Sequence, residues 1–167
     1  MSIEITTLFH DQWQEYKAIR LEAVKNDPQA FGKSLEEESA YPDERWKDRL
    51  REVERGESYL FFARCENIMA MIIGAYFPKN KEGTAHVTAV FVKPEFRKQG
   101  IATKLLGHLL EVLKKDIRVS NVELAVSTDQ KEAFQLYKKF GFEIIGTVRN
   151  KMGDGKEHEE YEMILNL

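Results

Sequence analysis

What this chain lacks narrows the reading first. It has a single cysteine, Cys65, so no internal disulfide can staple it, and a lone thiol suits a reducing cytoplasm. Cys65 sits in a strand-like apolar run and reads as a small buried side chain rather than a nucleophile. Long hydrophobic runs are missing: Ile68 to Phe77 is among the longest and falls far short of a bilayer's span, so no membrane partner is expected. Met1-Ser2-Ile3-Glu4 carries neither a basic nor an apolar segment, so no signal peptide is expected, and a cytoplasmic location follows. Neither sign of charge dominates. With 25 basic and 28 acidic residues the net charge is −3, which gives no general attraction to nucleic acid, and no aromatic-rich RNA-binding strand motif is present. Internal repeats and low-complexity tracts are absent too. The 167 residues predict one domain, residues 1–167, long enough for a substantial core.

What is present alternates between strand and helix periods. Ile3 to Phe9 reads as a short strand. Asp11 and Gln14 have capping-box spacing and open a helix carrying Trp13, Tyr16, Ile19, Ala23 and Val24, which Asp27-Pro28 ends. Gln29 to Tyr41 reads as a charged connection containing Glu36-Glu37-Glu38. Pro42, followed by Asp43 and Glu44, starts a second helix with Trp46, Leu50 and Val53 on one face, and Gly56 stops it. Tyr59 to Cys65 and Ile68 to Phe77 form a hairpin about Glu66-Asn67. Ala85 to Val92 is a strand, and Ile101 to about Lys115 is a helix with Ile101, Leu105, Leu109 and Val112 in a stripe. Val122 to Val126 is a strand. Asp129 and Glu132 repeat the capping spacing before a helix that reaches about Phe140 and stops at Gly141. Phe142 to Val148, the turn Gly153-Asp154-Gly155 and the alternating Tyr161, Met163, Leu165 and Leu167 make two closing strands. The prediction is an α/β domain of the α+β type, with a mixed, mainly antiparallel sheet and helices packed on it. The last strand, Tyr161 to Leu167, is expected at an edge, where a second copy could add to it as a homodimer.

One stretch carries chemistry. The apolar run Val87 to Val92 stops at Lys93-Pro94, a basic loop with a single glycine comes next (Arg97-Lys98-Gln99-Gly100), and an amphipathic helix begins at Ile101. Free backbone N–H groups and positive side chains thereby collect at a helix start, where the partial positive charge suits a phosphate. A phosphorylated cofactor is expected there. The bland alternative is a solvated basic turn before an ordinary helix.

The run Arg97 to Ala102 resembles the Gln/Arg-x-x-Gly-x-Gly/Ala signature of the GNAT superfamily of N-acetyltransferases. The preceding Val90-Phe91-Val92-Lys93-Pro94, and the later Leu124-Ala125-Val126 and Ala133 to Phe142, are similar to that family's second motif, in the right order and on the expected elements. The resemblance implies a sheet splayed by a strand bulge, acetyl-CoA as cosubstrate, no metal, and a cofactor-binding core over about 85–142. It implies that the backbone of Val90, Phe91 and Val92 meets the pantetheine arm. The pyrophosphate would meet Arg97, Lys98, Gln99, Gly100, Ile101, Ala102 and Thr103, chiefly through amides from Lys98 to Thr103. It also implies that Tyr137 protonates the departing CoA thiolate as general acid. Without the resemblance, Tyr137 would read as a core tyrosine in the stripe Ala133, Leu136, Tyr137 and Phe140.

The chain departs from the family pattern twice. Where many members carry Asn seven residues before the tyrosine, Gln130 stands, with the same amide one methylene further out. The positions of the family's carboxylate bases hold Thr88 and Ala125, neither of which can take a proton from an ammonium. The base is left open among a water held by Thr88, His86 and an acid from the N-terminal region. Glu36, Glu37 and Glu38 could attract a cationic amine, although a charge run usually marks a solvated face. Phe31 and Tyr41 could wall an acceptor pocket, while Trp46 reads as core. The expected function is direct acetyl transfer from acetyl-CoA to a small-molecule primary amine. The alternatives are a protein N-terminus or lysine as acceptor, and a non-catalytic acyl-CoA sensor.

Overall fold

Strands with apolar residues on both faces need two covers, and the helices of this protein supply them. The computed structural model describes residues 1–167. In chain order the elements are β1 (Ile3–Thr6), α1 (Trp13–Asn26), α2 (Leu35–Ser39), α3 (Asp43–Glu54), β2 (Ser58–Cys65), β3 (Ile68–Tyr76), β4 (Thr84–Val92), α4 (Ile101–Lys115), β5 (Asn121–Ser127), α5 (Lys131–Lys139), β6 (Glu143–Lys151) and β7 (Glu157–Asn166). Short 3-10 turns lie at His10–Gln12, Pro28–Ala30 and Pro94–Phe96. The seven strands form one sheet in the order β1-β2-β3-β4-β5-β7-β6, antiparallel throughout except for β4 beside β5. No helix is long and apolar enough to cross a membrane.

Alternation assigns each strand residue to a cover. Phe61, Ala63, Met71 and Ile73 face α4, whose Ile101, Leu105, Leu109 and Leu113 are buried against them. Leu60, Phe62, Ile72 and Phe91 face the other way, onto Tyr16, Ile19 and Val24 of α1 and Trp46 and Leu50 of α3. Trp46 is therefore core, as its helical spacing predicts. The β2–β3 hairpin turns at Glu66 and Asn67, with φ of +49° and +67°. That left-handed pair matches the twist of the flanking strands.

Four local expectations change. At the entry to α1, Phe9 N–H donates to Gln12 Oε1 at 2.9 Å, and Gln12 N–H donates to the Phe9 carbonyl at 2.8 Å. The 3-10 turn starts the helical path early, so Asp11 and Gln14 do not form the cap. Likewise α5 starts after Gln130 with no side-chain cap. Ser127 holds its entry instead, taking Asp129 N–H on Oγ and Gln130 N–H on its carbonyl. The last strand is not an edge: β7 lies between β5 and β6, and the edges are β1 and β6. Strand addition by a second copy would therefore fall on β6 or β1. A strand's own alternation does not say which neighbours it will have.

The fourth change concerns Glu36 to Glu38, which lie on α2 rather than in a loop, behind the Ser34 cap that accepts Glu37 N–H at 3.1 Å. Glu36 and Glu37 are solvated, but Glu38 is buried and takes a two-pronged bond from Arg20 (Nε at 2.9 Å, Nη2 at 2.7 Å). Breaking such a pair leaves a buried charge alone. Arg20→Met is expected to destabilise the protein by about 3–5 kcal/mol. Adding Glu38→Leu should restore most of that, as read by urea unfolding. A double variant as unstable as the single would show that packing, not charge, holds α1 to α2.

Candidate active site

β4 is where the sheet opens. Ile72 pairs with Phe91 and Gly74 with Thr88, so a single β3 residue stands opposite Ala89 and Val90 of β4. Ala89 adopts φ of +58°, left-handed and uncommon for a residue with a Cβ. The bulge resets the alternation, so Ala85, Val87, Val90 and Val92 all face the α4 side despite their odd spacing. β4 and β5 pair over only three rungs, Thr84–Asn121, Ala85–Val122 and His86–Glu123. Past His86 they part, and the β4 backbone edge on that side is left unpaired. Such an edge can hold an extended ligand through main-chain hydrogen bonds.

A cleft of about 550 Å³ fills the gap. One wall is Val90, Phe91 and Val92; its end is the loop from Arg97 to Thr103; its other wall is α5, with Ala133, Leu136 and Tyr137. Phe91 contributes backbone only, since its ring is buried in the α1 core. The amides from Lys98 to Thr103 have no acceptor within the protein, because α4 has no side-chain cap. Lys98 (φ +61°) and Gly100 (φ +80°) both turn left-handed, which aims successive N–H groups into a concave nest for an anion. The cationic side chains are less direct. Arg97 braces the strand end, donating from Nε to the Val92 carbonyl at 2.9 Å and from Nη2 to Asp27 at 2.9 Å. Lys98 is exposed and lies 3.6 Å from Glu132. Gln99 does not line the cleft; its side chain turns back to the Glu95 carbonyl at 3.1 Å.

Tyr137 projects from α5 and is 5% exposed, with its ring edge-on to Phe142. Burial alone moves its phenol pKa, and pushes it up, so the hydroxyl keeps its proton through neutral pH. Gln130, just before α5, also lines the cleft.

A second cleft of about 750 Å³ adjoins the first on the opposite side of the splayed strands. The two share Val90, Gln130, Ala133 and Tyr137, so any ligand passing from one to the other passes Tyr137. Thr88, Ala125 and His86 all line the second cleft. Burial lowers the His86 pKa, and its ring packs 5.1 Å from that of Tyr76. Phe31 walls it, whereas Tyr41 lines a third and larger hollow of about 970 Å³ under the N-terminal helices. Three carboxylates that sequence reasoning missed also line the second cleft: Glu123 on β5, and Glu160 and Glu162 on β7. In sequence, Glu160 and Glu162 are merely the polar alternates to Tyr161 and Met163. Only the insertion of β7 beside β5 turns that polar face toward a cavity.

Comparisons with known proteins bear on the family and the fold. A sequence model of the acetyltransferase (GNAT) family matches residues 7–142. The chain belongs to the GNAT family. It is an N-acetyltransferase, an acyltransferase by reaction class. Among curated relatives, an L-amino acid N-acetyltransferase of Escherichia coli K12 is 26% identical over 83% of each chain. N-alpha-acetyltransferase 50 of Danio rerio is 44% identical, but over only 55 residues, a third of each chain. A GNAT-family acetyltransferase of Streptococcus pneumoniae superposes with a TM-score of 0.82 at 18% identity, covering 99% of this chain and 100% of that one. A Salmonella typhimurium acetyltransferase, solved with its cofactor acetyl-CoA, also gives 0.82, at 13% identity over 100% and 95% of the two chains. At these identities the structures speak for the fold.

Proposed function

We propose that this enzyme moves the acetyl group of acetyl-CoA directly to a primary amine of a small molecule and releases CoA in the cytoplasm. The observation that carries the reading is the meeting of two unlike clefts at Tyr137, one ending in free amides and the other lined by carboxylates. The backbone of Val90, Phe91 and Val92 pairs with the pantetheine arm, and the amides of Lys98, Gly100, Ile101, Ala102 and Thr103 take the pyrophosphate. Gln130 reaches the cofactor from the other wall. A strand N–H such as that of Val92 polarises the thioester carbonyl, the amine attacks its carbon, and the C–S bond breaks. Tyr137 gives its proton to the departing thiolate and recovers one from the acylated nitrogen. Burial that weakens the phenol as an acid also makes a thiolate in the same cavity more basic, so the transfer stays matched. Cys65 is buried in the α4 core, away from both clefts, so transfer needs no acyl-enzyme. It is the chain's sole cysteine, and a chain free of internal disulfides suits the cytoplasm.

A small acceptor is favoured because a contact roofs part of the second cleft, beside Phe31, Gly32 and Met152. Gly153 in the β6–β7 turn donates its N–H to the Phe31 carbonyl at 2.6 Å, joining that turn to the segment before α2. A Cβ at Gly153 would lie 3.0 Å from the Lys33 carbonyl carbon and 3.1 Å from the Phe31 oxygen, too close for the roof to stay shut. Gly153→Ala should therefore raise acceptor KM several-fold while the acetyl-CoA Kd stays put; an unchanged acceptor KM would show that the roof does not bound the acceptor. A peptide N-terminus is the second reading, favoured by the 44% identity shared with the Danio rerio protein. CoA thiol release across amino acids, polyamines, aminoglycosides and short peptides separates the two. Release with a small amine and not with peptides is expected. Release with peptides alone overturns the small-molecule reading, and tight acetyl-CoA binding with no release from any amine would point to a sensor.

A further inference from the structure

The reaction sheds a proton from the acceptor's ammonium before attack, and the strand positions where relatives keep a carboxylate hold Thr88 and Ala125 here. We propose that Glu160 is the catalytic base that takes this proton; the assignment rests on the N-acetyl transfer reading above. Glu160 lies on β7, opposite Ser127 of β5 and Val148 of β6. Ser127 is the residue whose carbonyl anchors the turn into α5, and thereby the helix that carries Tyr137. The register also gives a height in the splay. His86 faces Glu123 at the last paired rung; Val90 is four residues beyond His86, and Ser127 is four residues beyond Glu123. Glu160 therefore stands well up the splay, roughly 13 Å along β5 from the rung of His86, and lines the second cleft together with Val90 and Tyr137.

The remaining charged groups facing that cleft are accounted for. Glu123 is held by Lys81 Nζ at 2.7 Å. Arg20 of α1 is committed to Glu38. His86, on β4, sits at the closed end, and Lys151 of β6 is exposed near the roof. Glu162 of β7 is opposite Ala125, two residues nearer that closed end than Glu160. Only Glu160 is a carboxylate that is both buried, at 8% exposure, and fixed: Asn150 Nδ2 donates to its Oε1 at 2.9 Å. That bond orients the group and leaves Oε2 for the ammonium.

The protons balance without another reactant. Glu160 accepts one from R–NH3⁺ and returns it to solvent; the nitrogen's second proton replaces the one Tyr137 gave to sulfur. Asn150 is a positioning residue for Glu160. The test is Glu160→Gln in the full chain, an exchange that keeps an acceptor for Asn150. The reading uses the best amine of the panel, with kcat/KM measured against pH. The variant is expected to lose about 10²–10³-fold at neutral pH, recover as pH rises toward the amine's own pKa, and bind acetyl-CoA as before. Asn150→Ala should lose less, in kcat rather than in acceptor KM, and Asn150→Gln should recover part of the loss. A loss equal at every pH, carried in acceptor KM, would overturn the base assignment in favour of mere ammonium binding, and a wild-type profile would overturn it outright. Should Glu160→Gln not fold, Glu160→Asp serves: a carboxylate one methylene short must keep the limb but lose rate. Failure of the wild type to acetylate any amine would instead overturn the transfer reading, and this assignment with it.

Discussion

Tyr137→Phe is expected to lower kcat by about 10²–10⁴-fold while leaving the acetyl-CoA Kd within about twofold. The phenylalanine ring fills the same space against Phe142, so packing is retained. No charged or hydrogen-bonding group moves the Tyr137 pKa, so removing its hydroxyl should cost the fold little. The loss should fall on the step that expels thiolate, which single-turnover mixing with pre-bound acetyl-CoA reads directly. The expected pH dependence follows the same division of labour. Because burial pushes the phenol pKa up, Tyr137 contributes no ionisation near neutrality, and the acidic limb of the wild-type profile must survive in Tyr137→Phe at a lower rate. Equal turnover in the variant would falsify the general-acid role.

Gly100→Glu is expected to weaken acetyl-CoA binding by about 100-fold or more, about 3 kcal/mol, without unfolding the protein. A Cβ at Gly100 meets no protein atom within 4 Å, so nothing inside the fold is displaced. The φ of +80° makes any side chain cost about 1–2 kcal/mol, a tolerable fraction of a typical folding free energy. The open space is where the nest of amides points, and a carboxylate there opposes phosphate charge and blocks approach. Gly100→Ala separates the two contributions: it carries the backbone strain without the charge and should bind much better than Gly100→Glu. Calorimetric titration with acetyl-CoA and a thermal melt together check both points. Undiminished affinity in Gly100→Glu would remove the loop from the cofactor site.

The loop and α4 are legible in the sequence because their cause is local. Pro94 stops β4, Gly100 permits the left-handed turn, and the Leu105, Leu109 and Leu113 stripe commits residues 101–115 to a helix. The second motif is legible for the same reason, with Tyr137 on the buried face of a short amphipathic helix. The bulge is legible only through the family resemblance, and its position is not. It falls on Ala89, whose type gives no hint of a positive φ; the strand takes it because Val90 and Val92 are then buried on the same face as Val87. The capping patterns at Asp11 and Asp129 mislead because several side chains near each helix start could cap it, and the preceding turns decide which does. Glu38 looks like its neighbours Glu36 and Glu37 in a charge run. Only Arg20, 18 residues earlier, distinguishes it.

By itself, then, the sequence determined the order and type of the elements other than α2, the glycine-containing loop before α4 and the place of Tyr137 on α5. Each depends on the conformational preference and hydrophobic period of a few consecutive residues. The tertiary structure alone decided that β7 enters between β5 and β6, that β4 and β5 part after three rungs, and that Glu160 lines the second cleft with Asn150 bonded to it. An alternating strand has the same pattern whichever neighbours it pairs with, so its polar face reads as solvent until the sheet is assembled. The order of the strands is set by burying all the apolar faces at once, a condition that no single segment contains.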